Sequence, residues 1–413
     1  MKGSPPAKTA YNCTVMGVSG SQSQASLPEF SLIHGGPFYG VRKALGFVPG
    51  TGFRLARQTA ILVAVLWLPV VIGAIAEHRL LPGEGSDPLF RHFGIHARLL
   101  VAIPLLIYAE VVMERIVPSV VRQFTLAGLV FGRTQDEFIE ILHRAQKLRD
   151  SIWGKLLVGG VLLFSIVLAK FHPLLSDEVA WTGSSDVHTP QFGFAGWWFL
   201  YVGRLVFIGL LTLWAWRLLV GWRLILWISR LDLHLVPSHP DRAGGLGFVQ
   251  HVSIADAFIV LAISVVLAGR WGHDVLYHSM HIDSLKLLVA AYVVMVLILF
   301  LGPLLFFSKS LRRFQREALL QYSALVGTQG RLVHRKWIKG EEIGDQPILD
   351  SPELSCVADT NTVFDAVEHM RVLPIGKEAV IPLILAAAVP MLPVFAIQVP
   401  LKELLLKIAT SLI

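Results

Sequence analysis

Charged residues are scarce in this sequence. Only 16% of the 413 residues are charged, whereas 54% are apolar, and the mean hydropathy is +0.62. About a quarter of the residues in a soluble domain are charged, so these charges are too few to cover a water-facing surface of this size. The composition therefore predicts a membrane protein, and we expect an all-α polytopic fold of about seven transmembrane helices with helical cytoplasmic extensions.

Cysteines are few, and the common catalytic motifs are missing. The two cysteines, Cys13 and Cys356, lie far apart with no CxxC pair, which excludes a disulfide framework and a cysteine zinc site. The sequence contains neither GxGxxG nor GxxxxGKS/T, and neither HExxH nor GxSxG. Nucleotide binding and the usual hydrolytic chemistries therefore have little support. The sequence also has no internal repeat of the kind that produces the inverted halves of many secondary transporters.

Long apolar runs are present, and a spanning helix needs about 20 such residues. Three runs carry no charge, and four more are interrupted by ionisable residues, which makes seven predicted spans. The uncharged runs are 58–76, 287–308 and 379–401, and the interrupted runs are 97–118, 152–169, 195–216 and 252–269.

The basic residues are concentrated on one side of this topology. With the N-terminus inside, the four segments predicted to be cytoplasmic hold 26 of the 36 Lys and Arg residues. Cytoplasmic loops are enriched in these residues, so the bias predicts a cytoplasmic N-terminus. It also accounts for the net charge of +7 without nucleic acid as a partner. The four segments are 1–57, 113–151, 217–251 and 308–377.

These patterns divide the chain into four parts. The N-terminal part has no apolar core of a signal peptide, and its Ser, Gly and Gln content predicts disorder up to about residue 25. The lipid bilayer is the partner of the second and fourth parts. The parts are a cytoplasmic segment (1–57), a membrane domain of six spans with a cytoplasmic helical segment at 113–151 (58–307), a basic cytoplasmic segment (308–377), and a seventh span followed by an amphipathic C-terminal helix (378–413).

The seventh span is rich in proline. Pro382, Pro390 and Pro393 remove backbone hydrogen bonds and are expected to kink the helix. Such kinks serve gating where the freed carbonyls face a cavity, and elsewhere they only fit the packing. A re-entrant hairpin that returns the C-terminus to the inside is the alternative to a full span.

Ionisable side chains inside spans are costly in lipid and are therefore the first candidates for function. Glu110, Glu114, Arg204 and Asp256 interrupt otherwise apolar runs. Counted from the outer ends of their helices, Glu110 and Arg204 lie at similar depths, close enough to form a structural ion pair between the second and fourth spans. The alternative is that Glu110, Arg204 and Asp256 line a polar path for an ion or a proton, with Glu114 solvated near the inner boundary.

The loop between the fourth and fifth spans carries the most distinctive sequence, PSHPDRAGGLGF at 237–248. Its glycines permit backbone conformations that point N–H groups at an anion, and its histidine and aspartate could form an acid–base or metal-binding pair. A rigid loop in which the aspartate pairs with the arginine or caps the next helix is the simpler alternative. The residues of this candidate anion site or cytoplasmic gate are His239, Asp241, Arg242, Gly244, Gly245 and Gly247.

Eight of the fifteen histidines lie in the predicted outer segments, with aspartates close by. Groups three or four residues apart on a helix can share a metal ion, and solvated loop residues are the alternative. No cofactor is predicted apart from this outer-face metal ion. The candidate ligands are His92, His96, His278, His281 and Asp283.

Four stretches of the chain, from about residue 30 onward, resemble a family of uncharacterised bacterial multi-pass inner-membrane proteins. The resemblance implies a bacterial inner-membrane protein of this topology, and it implies no activity and no catalytic residues. The stretches are Gly35 to Tyr39, His239 to Phe248, the arginine-rich stretch after the sixth span, and Met370 to Pro374.

Three functions fit these observations. The first is an ion channel or small-ion transporter that acts as a homo-oligomer. The second is a non-transporting scaffold or envelope sensor, whose basic segment 308–377 contacts anionic lipid or another protein. The third is a lipid-active enzyme that uses His239 and Asp241.

Overall fold

The computed structural model describes residues 29–37, 39–40, 53–80, 88–171, 193–277, 282–341 and 353–398. Across these ranges, every regular element is a helix and no strand is present. The all-α prediction is therefore confirmed.

Eleven helices are numbered here in chain order. Helix α2 begins with Phe93–His96 and a π-helical stretch, Ala97–Ala102. Helix α5 begins in the same way, with Phe194–Trp198 and the π-helical stretch Phe199–Gly203. The main bodies are α1 (Phe53–Ala76), α2 (Ile103–Leu126), α3 (Arg133–Arg149), α4 (Ile152–Phe171), α5 (Arg204–Ile228), α6 (Val252–Tyr277), α7 (Ile282–Leu301), α8 (Ser308–Val333), α9 (Glu353–Glu368), α10 (Lys377–Ala388) and α11 (Leu392–Gln398).

Six helices in the described ranges are long and apolar enough to cross a membrane. They correspond to six of the seven predicted spans. The remaining one, predicted at 97–118, is a helix within α2, but Glu110, Glu114 and Arg115 make it too charged to count among the apolar six. The six are Arg54–Ala76, Arg133–Ala169, Phe194–Ile228, Gly247–Tyr277, Ser284–Ile338 and Lys377–Ile397.

Helices α2 and α6 form the centre of the bundle. Half of the most apolar stretch of α6 is buried inside the protein, compared with 22% for α1. Along α2, Leu99, Ile103 and Leu106 are completely buried. Helix α2 tolerates its charges because protein rather than lipid surrounds that face.

The outer helices present apolar side chains to their surroundings. Ile72 on α1, Phe164 on α4 and Ile298 on α7 each expose more than half of their surface. A water-soluble protein rarely exposes large apolar faces, so these faces are expected to contact the lipid tails. The membrane prediction is confirmed at this level.

Proline breaks the last predicted span into two helices. Helix α10 ends at Ala388, a 3₁₀ turn covers Val389–Met391, and α11 continues from Leu392. Pro390 lies in the turn, where the missing N–H and the fixed φ interrupt the α-helical ladder. Pro382 lies inside α10, and Pro393 lies at the start of α11.

Candidate functional site

A buried ion pair joins α2 to α5. The Arg217 guanidinium donates to Glu110 Oε1 at 2.7 Å, and the two side chains are 8% and 0% exposed. Arg217 also lies over the Trp214 ring, 5.0 Å from its centroid. Trp214 is fixed in turn, because its Nε1 donates to the Leu106 carbonyl at 3.1 Å. Two charges inside a membrane bundle are thus held by direct contacts.

Arg217, rather than Arg204, is the residue that the structure shows bonded to Glu110. Arg204 lies 13 residues earlier on α5, about 20 Å along the axis. The residue before it, Gly203, packs against Leu99. A Cβ placed on Gly203 would lie 3.2 Å from the Leu99 side chain. Leu99 precedes Glu110 by 11 residues, so the predicted common depth of Glu110 and Arg204 is wrong by about three turns. Ending the span at 216 had placed Arg217 at the boundary, whereas α5 continues to Ile228.

Asp256 faces a cavity next to this ion pair. The side chain is 5% exposed, and its Oδ1 accepts no hydrogen bond from any described residue. The cavity measures about 50 Å³ and is also lined by Arg217, Ser253 and Leu32. One water needs about 10–15 Å³ by the same measure. The cavity can therefore hold a few waters beside the carboxylate.

Glu114 binds the segment before the first span, here called the N-terminal segment (residues 29–37). Ser31 Oγ donates to Glu114 Oε2 at 2.6 Å, and His34 Nδ1 lies 2.7 Å from Oε1. The expectation of a solvated Glu114 is therefore wrong. This carboxylate anchors a strip of chain that crosses the same end of the bundle as Asp256.

Arg149 and Asp150, at the end of α3, hold the other half of the N-terminal segment. Arg149 donates to the Ser31 carbonyl and to both oxygens of Asp150, and the Gly36 N–H donates to Asp150 at 2.7 Å. The bonds from Arg149 and Gly36 fix the Asp150 carboxylate at the end of α3. Gly35 has φ of +109°, and a Cβ there would lie 2.5 Å from the Arg149 guanidinium.

Leu32 connects the N-terminal segment to the cavity. Phe30, Leu32 and Ile33 are buried, and Leu32 forms part of the cavity wall with Asp256. The N-terminal segment therefore covers the cavity at this end. The end carrying the N-terminal segment, α3 and the 237–248 loop is called the inner end below, and the opposite end is called the outer end.

The Asp241 carboxylate binds the backbone of its own loop, 237–248. Its carboxylate accepts hydrogen bonds from the backbone N–H of Ala243, Gly245 and Gly247 at 2.8, 3.1 and 2.7 Å. His239 Nδ1 lies 2.8 Å from Asp241 Oδ1. Burial tends to raise the pKa of Asp241, but the bonds from the backbone and from His239 outweigh it and lower the pKa.

These bonds argue against an external anion at the loop. The N–H groups of Gly245 and Gly247 are donated to Asp241, so the rigid-loop alternative is the one that the structure supports. Gly247 must be glycine, since a Cβ there would lie 2.9 Å from Asp241 Cβ. Gly244 has φ of +66°, a conformation that favours glycine.

The loop is also tied to the stretch before α10. The Arg371 N–H donates to the Arg242 carbonyl at 2.6 Å. Within the loop itself, the Val236 N–H donates to the Gly244 carbonyl at 3.1 Å. Arg242 itself has φ of +54°. Because both oxygens of Asp241 accept hydrogen bonds, Asp241 is poorly suited to act as a general base, and a lipid-active enzyme has no support here.

Among the described residues, the candidate ligands His92 and His96 do not converge on a metal site. His96 accepts from Trp67 Nε1 at 3.1 Å and its Nε2 lies 3.3 Å from the Leu89 carbonyl, so both ring nitrogens are occupied. His92 stacks on His273 instead, with ring centroids 4.7 Å apart. His278, His281 and the side chain of Asp283 lie outside the described residues. Within the described ranges, the one group with metal-ligand spacing is the exposed set Asp365, Glu368 and His369.

A second polar cavity lies at the outer end of α6. It measures about 190 Å³ and is lined by side chains that include His92, Arg98, Arg270, His273 and Asp274. Arg98 is only 8% exposed, and its guanidinium lies 5.6 and 5.3 Å from the centroids of Phe199 and Phe207. Sequence reasoning missed Arg98, because it is only the second residue of the predicted span at 97–118.

Two π-helical stretches lie side by side near this outer cavity. Arg98 lies in the π stretch of α2, and buried Arg204 directly follows the π stretch of α5. Leu99 and Gly203 place the two stretches against each other. Such stretches are rare and frequently occur at functional sites. The outer half of the bundle is therefore a second candidate region for function.

No family model, no characterised protein and no solved structure matches this chain. Function is therefore inferred from the geometry of the site.

Proposed function

We propose that this membrane protein moves a small ion across the bilayer and that Asp256 carries the transported proton. The observation that supports this most directly is the buried carboxylate with an oxygen that no described residue hydrogen-bonds, facing a cavity inside a central span. Leaving such a group unpartnered in a low-dielectric interior is costly. Taking up a positive charge removes that cost.

A proton suits the site better than a metal cation does. Alkaline-earth cations need six or more oxygen ligands, whereas the side chains that line this cavity include one carboxylate, Asp256, and one arginine, Arg217. Arg217 is bonded to Glu110 at 2.7 Å. The pair is neutral overall and offers the cavity no further anionic ligand for a metal ion, whereas a proton binds directly to the Asp256 carboxylate.

The two cavities make α6 the axis of the proposed path. Asp256 lies in the inner cavity and Asp274 lines the outer one, 18 residues or about 27 Å further along. Between them, Val260 and Ser264 are fully buried, and Ser264 Oγ bonds the Tyr292 hydroxyl at 2.7 Å. We interpret this arrangement as a closed state, in which transport needs α6 to move against its neighbours. The path lies within one chain, so it does not depend on a homo-oligomer.

Proton flux into liposomes tests the proposal. The purified protein is reconstituted with a pH-sensitive dye inside, and a potential or an opposing ion gradient drives the flux. We expect the wild type to acidify or alkalinise the lumen, and Asp256→Asn to lose that flux while remaining folded. Asp359→Asn, an equivalent change at an exposed acid on α9, is expected to behave like the wild type. Equal flux through Asp256→Asn, or no flux in well-folded wild-type protein, would sink the proposal.

A scaffold or envelope sensor is the second candidate function. The observation that favours it is α8, a helix of 26 residues that follows the sixth apolar run and carries exposed basic side chains. Purification of a stoichiometric partner from cells, together with the absence of ion flux, would favour this function over transport.

A further inference from the structure

The first two turns of α8 form a basic face outside the proposed ion path. Lys309, Arg312, Arg313 and Arg316 are all exposed, and Arg312 and Arg313 each lie three or four residues from both Lys309 and Arg316. Residues at these spacings share one side of an α-helix. Within the described ranges, the ion pair on this face is the exposed contact between Arg313 and Glu317, at 2.9 Å. The face therefore keeps a strong positive charge.

The opposite side of the same turns is packed against the protein. Leu311 is fully buried and lies 3.5 Å from a Cβ placed on Gly244, while Gln315 Nε2 donates to the Met370 carbonyl at 2.9 Å. These contacts fix the rotation of α8 about its own axis. The four basic side chains are consequently held on the side away from the bundle.

The apolar residues just before α8 place this face at the level of the lipid headgroups. Leu305 and Phe306 are exposed and follow the apolar run of α7, so they are expected to contact lipid tails. Lys309 comes one helical turn later, about 5 Å further along the axis. This depth follows from the chain itself and is the same whichever way the protein is oriented.

We propose that this basic face, Lys309, Arg312, Arg313 and Arg316, binds the phosphate headgroup of an acidic phospholipid. The concave space between these side chains measures about 440 Å³, and among the described residues only Ser308 and Glu317 line it besides the four. Arginine binds phosphate oxygens in a fork geometry, and lysine binds them as a point charge. Each basic residue near a membrane surface strengthens binding to anionic lipid by roughly fivefold.

Lipid retention by the full-length protein tests this site. The protein is released from nanodiscs that contain equal amounts of phosphatidylglycerol and phosphatidylcholine, and the retained lipid is measured by native mass spectrometry. We expect the wild type to retain phosphatidylglycerol preferentially. The variant with Lys309, Arg312, Arg313 and Arg316 all changed to Gln should lose that preference by about tenfold or more. A variant with the three arginines changed to Lys should keep it, since the charge remains.

Four basic residues at and just beyond the C-terminal end of α8 supply the matched control. Arg331, Arg335, Lys336 and Lys339 are also four basic residues, but they begin 22 residues, or about 33 Å, beyond Lys309. Changing these four to Gln should leave the preference for phosphatidylglycerol intact. An equal loss in both variants, an unchanged preference in the first, or equal competition by free inorganic phosphate would overturn the proposed headgroup site.

Discussion

At the scale of single residues, the buried charges are the informative ones. Arg98, Glu110, Arg204, Arg217 and Asp256 are all at most 9% exposed. Glu110 and Arg217 stabilise each other, whereas Asp256 has an oxygen that no described residue hydrogen-bonds. The first pair is therefore expected to matter mainly for stability, and Asp256 mainly for transport.

Breaking the Glu110–Arg217 pair on one side should be strongly destabilising. Glu110→Leu leaves the guanidinium buried without its carboxylate, and such a change costs about 3–5 kcal/mol. The double change Glu110→Leu with Arg217→Met replaces both charges by apolar groups and should recover most of that loss. Thermal unfolding in detergent micelles measures both variants. A double variant that is less stable than the single one would contradict a mainly pairwise role.

Asp241 should make the stability of the loop depend on pH. Its folded-state pKa is lowered, so its contribution is complete above the unfolded pKa of about 4 and is lost as the pH falls through the folded pKa. Asp241→Asn should lower stability at neutral pH by about 2 kcal/mol, because three backbone N–H groups lose a charged acceptor. The difference from the wild type should shrink in acid.

Thermal unfolding as a function of pH checks the Asp241 prediction. Asp359→Asn again serves as the control, because Asp359 is exposed. A constant difference between Asp241→Asn and the wild type across the acidic range would show that the carboxylate charge is unimportant to the loop.

At the scale of elements, the N-terminal segment does more than lead into the first span. It contacts α2 through Glu114 and α3 through Arg149 and Asp150, and its Leu32 lines the cavity of Asp256. If the cavity opens to the cytoplasm during transport, this segment is the element that must move. The 237–248 loop is less suited to gating, because its own bonds hold it in one conformation.

Gly35 provides a specific test of that cover. Gly35→Ala should displace the N-terminal segment, because φ of +109° is unfavourable for alanine and its Cβ would lie 2.5 Å from the Arg149 guanidinium. Gly40→Ala is the control, since a Cβ there has no described atom within 4 Å. The readout is labelling of Ser253→Cys by a water-soluble thiol reagent, after Cys13 and Cys356 have been changed to Ser.

We expect labelling at position 253 to be slow in the otherwise unchanged protein and in Gly40→Ala, and several-fold faster in Gly35→Ala. Cysteine at Ser264, which is fully buried near the middle of α6, should stay unlabelled in all of them. Equal labelling of position 253 in Gly35→Ala and Gly40→Ala would show that the segment does not restrict access to the cavity.

At the scale of the whole molecule, most Lys and Arg residues lie in the segments predicted to be cytoplasmic. At the inner end, the loop at 237–248 and the start of α8 are both bonded to the stretch before α10, through Arg371 to Arg242 and Gln315 to Met370. Arg270 and His273 line the cavity at the opposite end. The distribution of Lys and Arg predicts that the inner end is cytoplasmic.

Single cysteines test this orientation in the background that lacks Cys13 and Cys356. Cysteine at Ser323 on α8 should react with a membrane-impermeant thiol reagent only after the cells are permeabilised. Cysteine at Arg270, which is exposed at the outer end, should react in intact cells. The reverse pattern would invert the topology while leaving the fold unchanged.

Composition and periodicity alone predicted that the protein lies in a membrane, and they predicted the number of its long apolar helices to within one. Those properties are local, because apolar runs of sufficient length must be helical in a bilayer wherever they pack. The same local view marked Glu110 and Asp256 as costly and therefore informative. It also offered a rigid 237–248 loop, in which Asp241 pairs with Arg242 or caps the next helix, but it could not decide between that and an anion site.

Only the tertiary structure decided which groups meet. The pairing of Glu110 with Arg217 depends on the register between α2 and α5, and a span boundary misplaced by several residues had hidden it. The cover over Asp256 comes from a segment more than 200 residues earlier in the chain. Contacts of this kind arise from the packing of distant segments, and neither spacing nor composition encodes them.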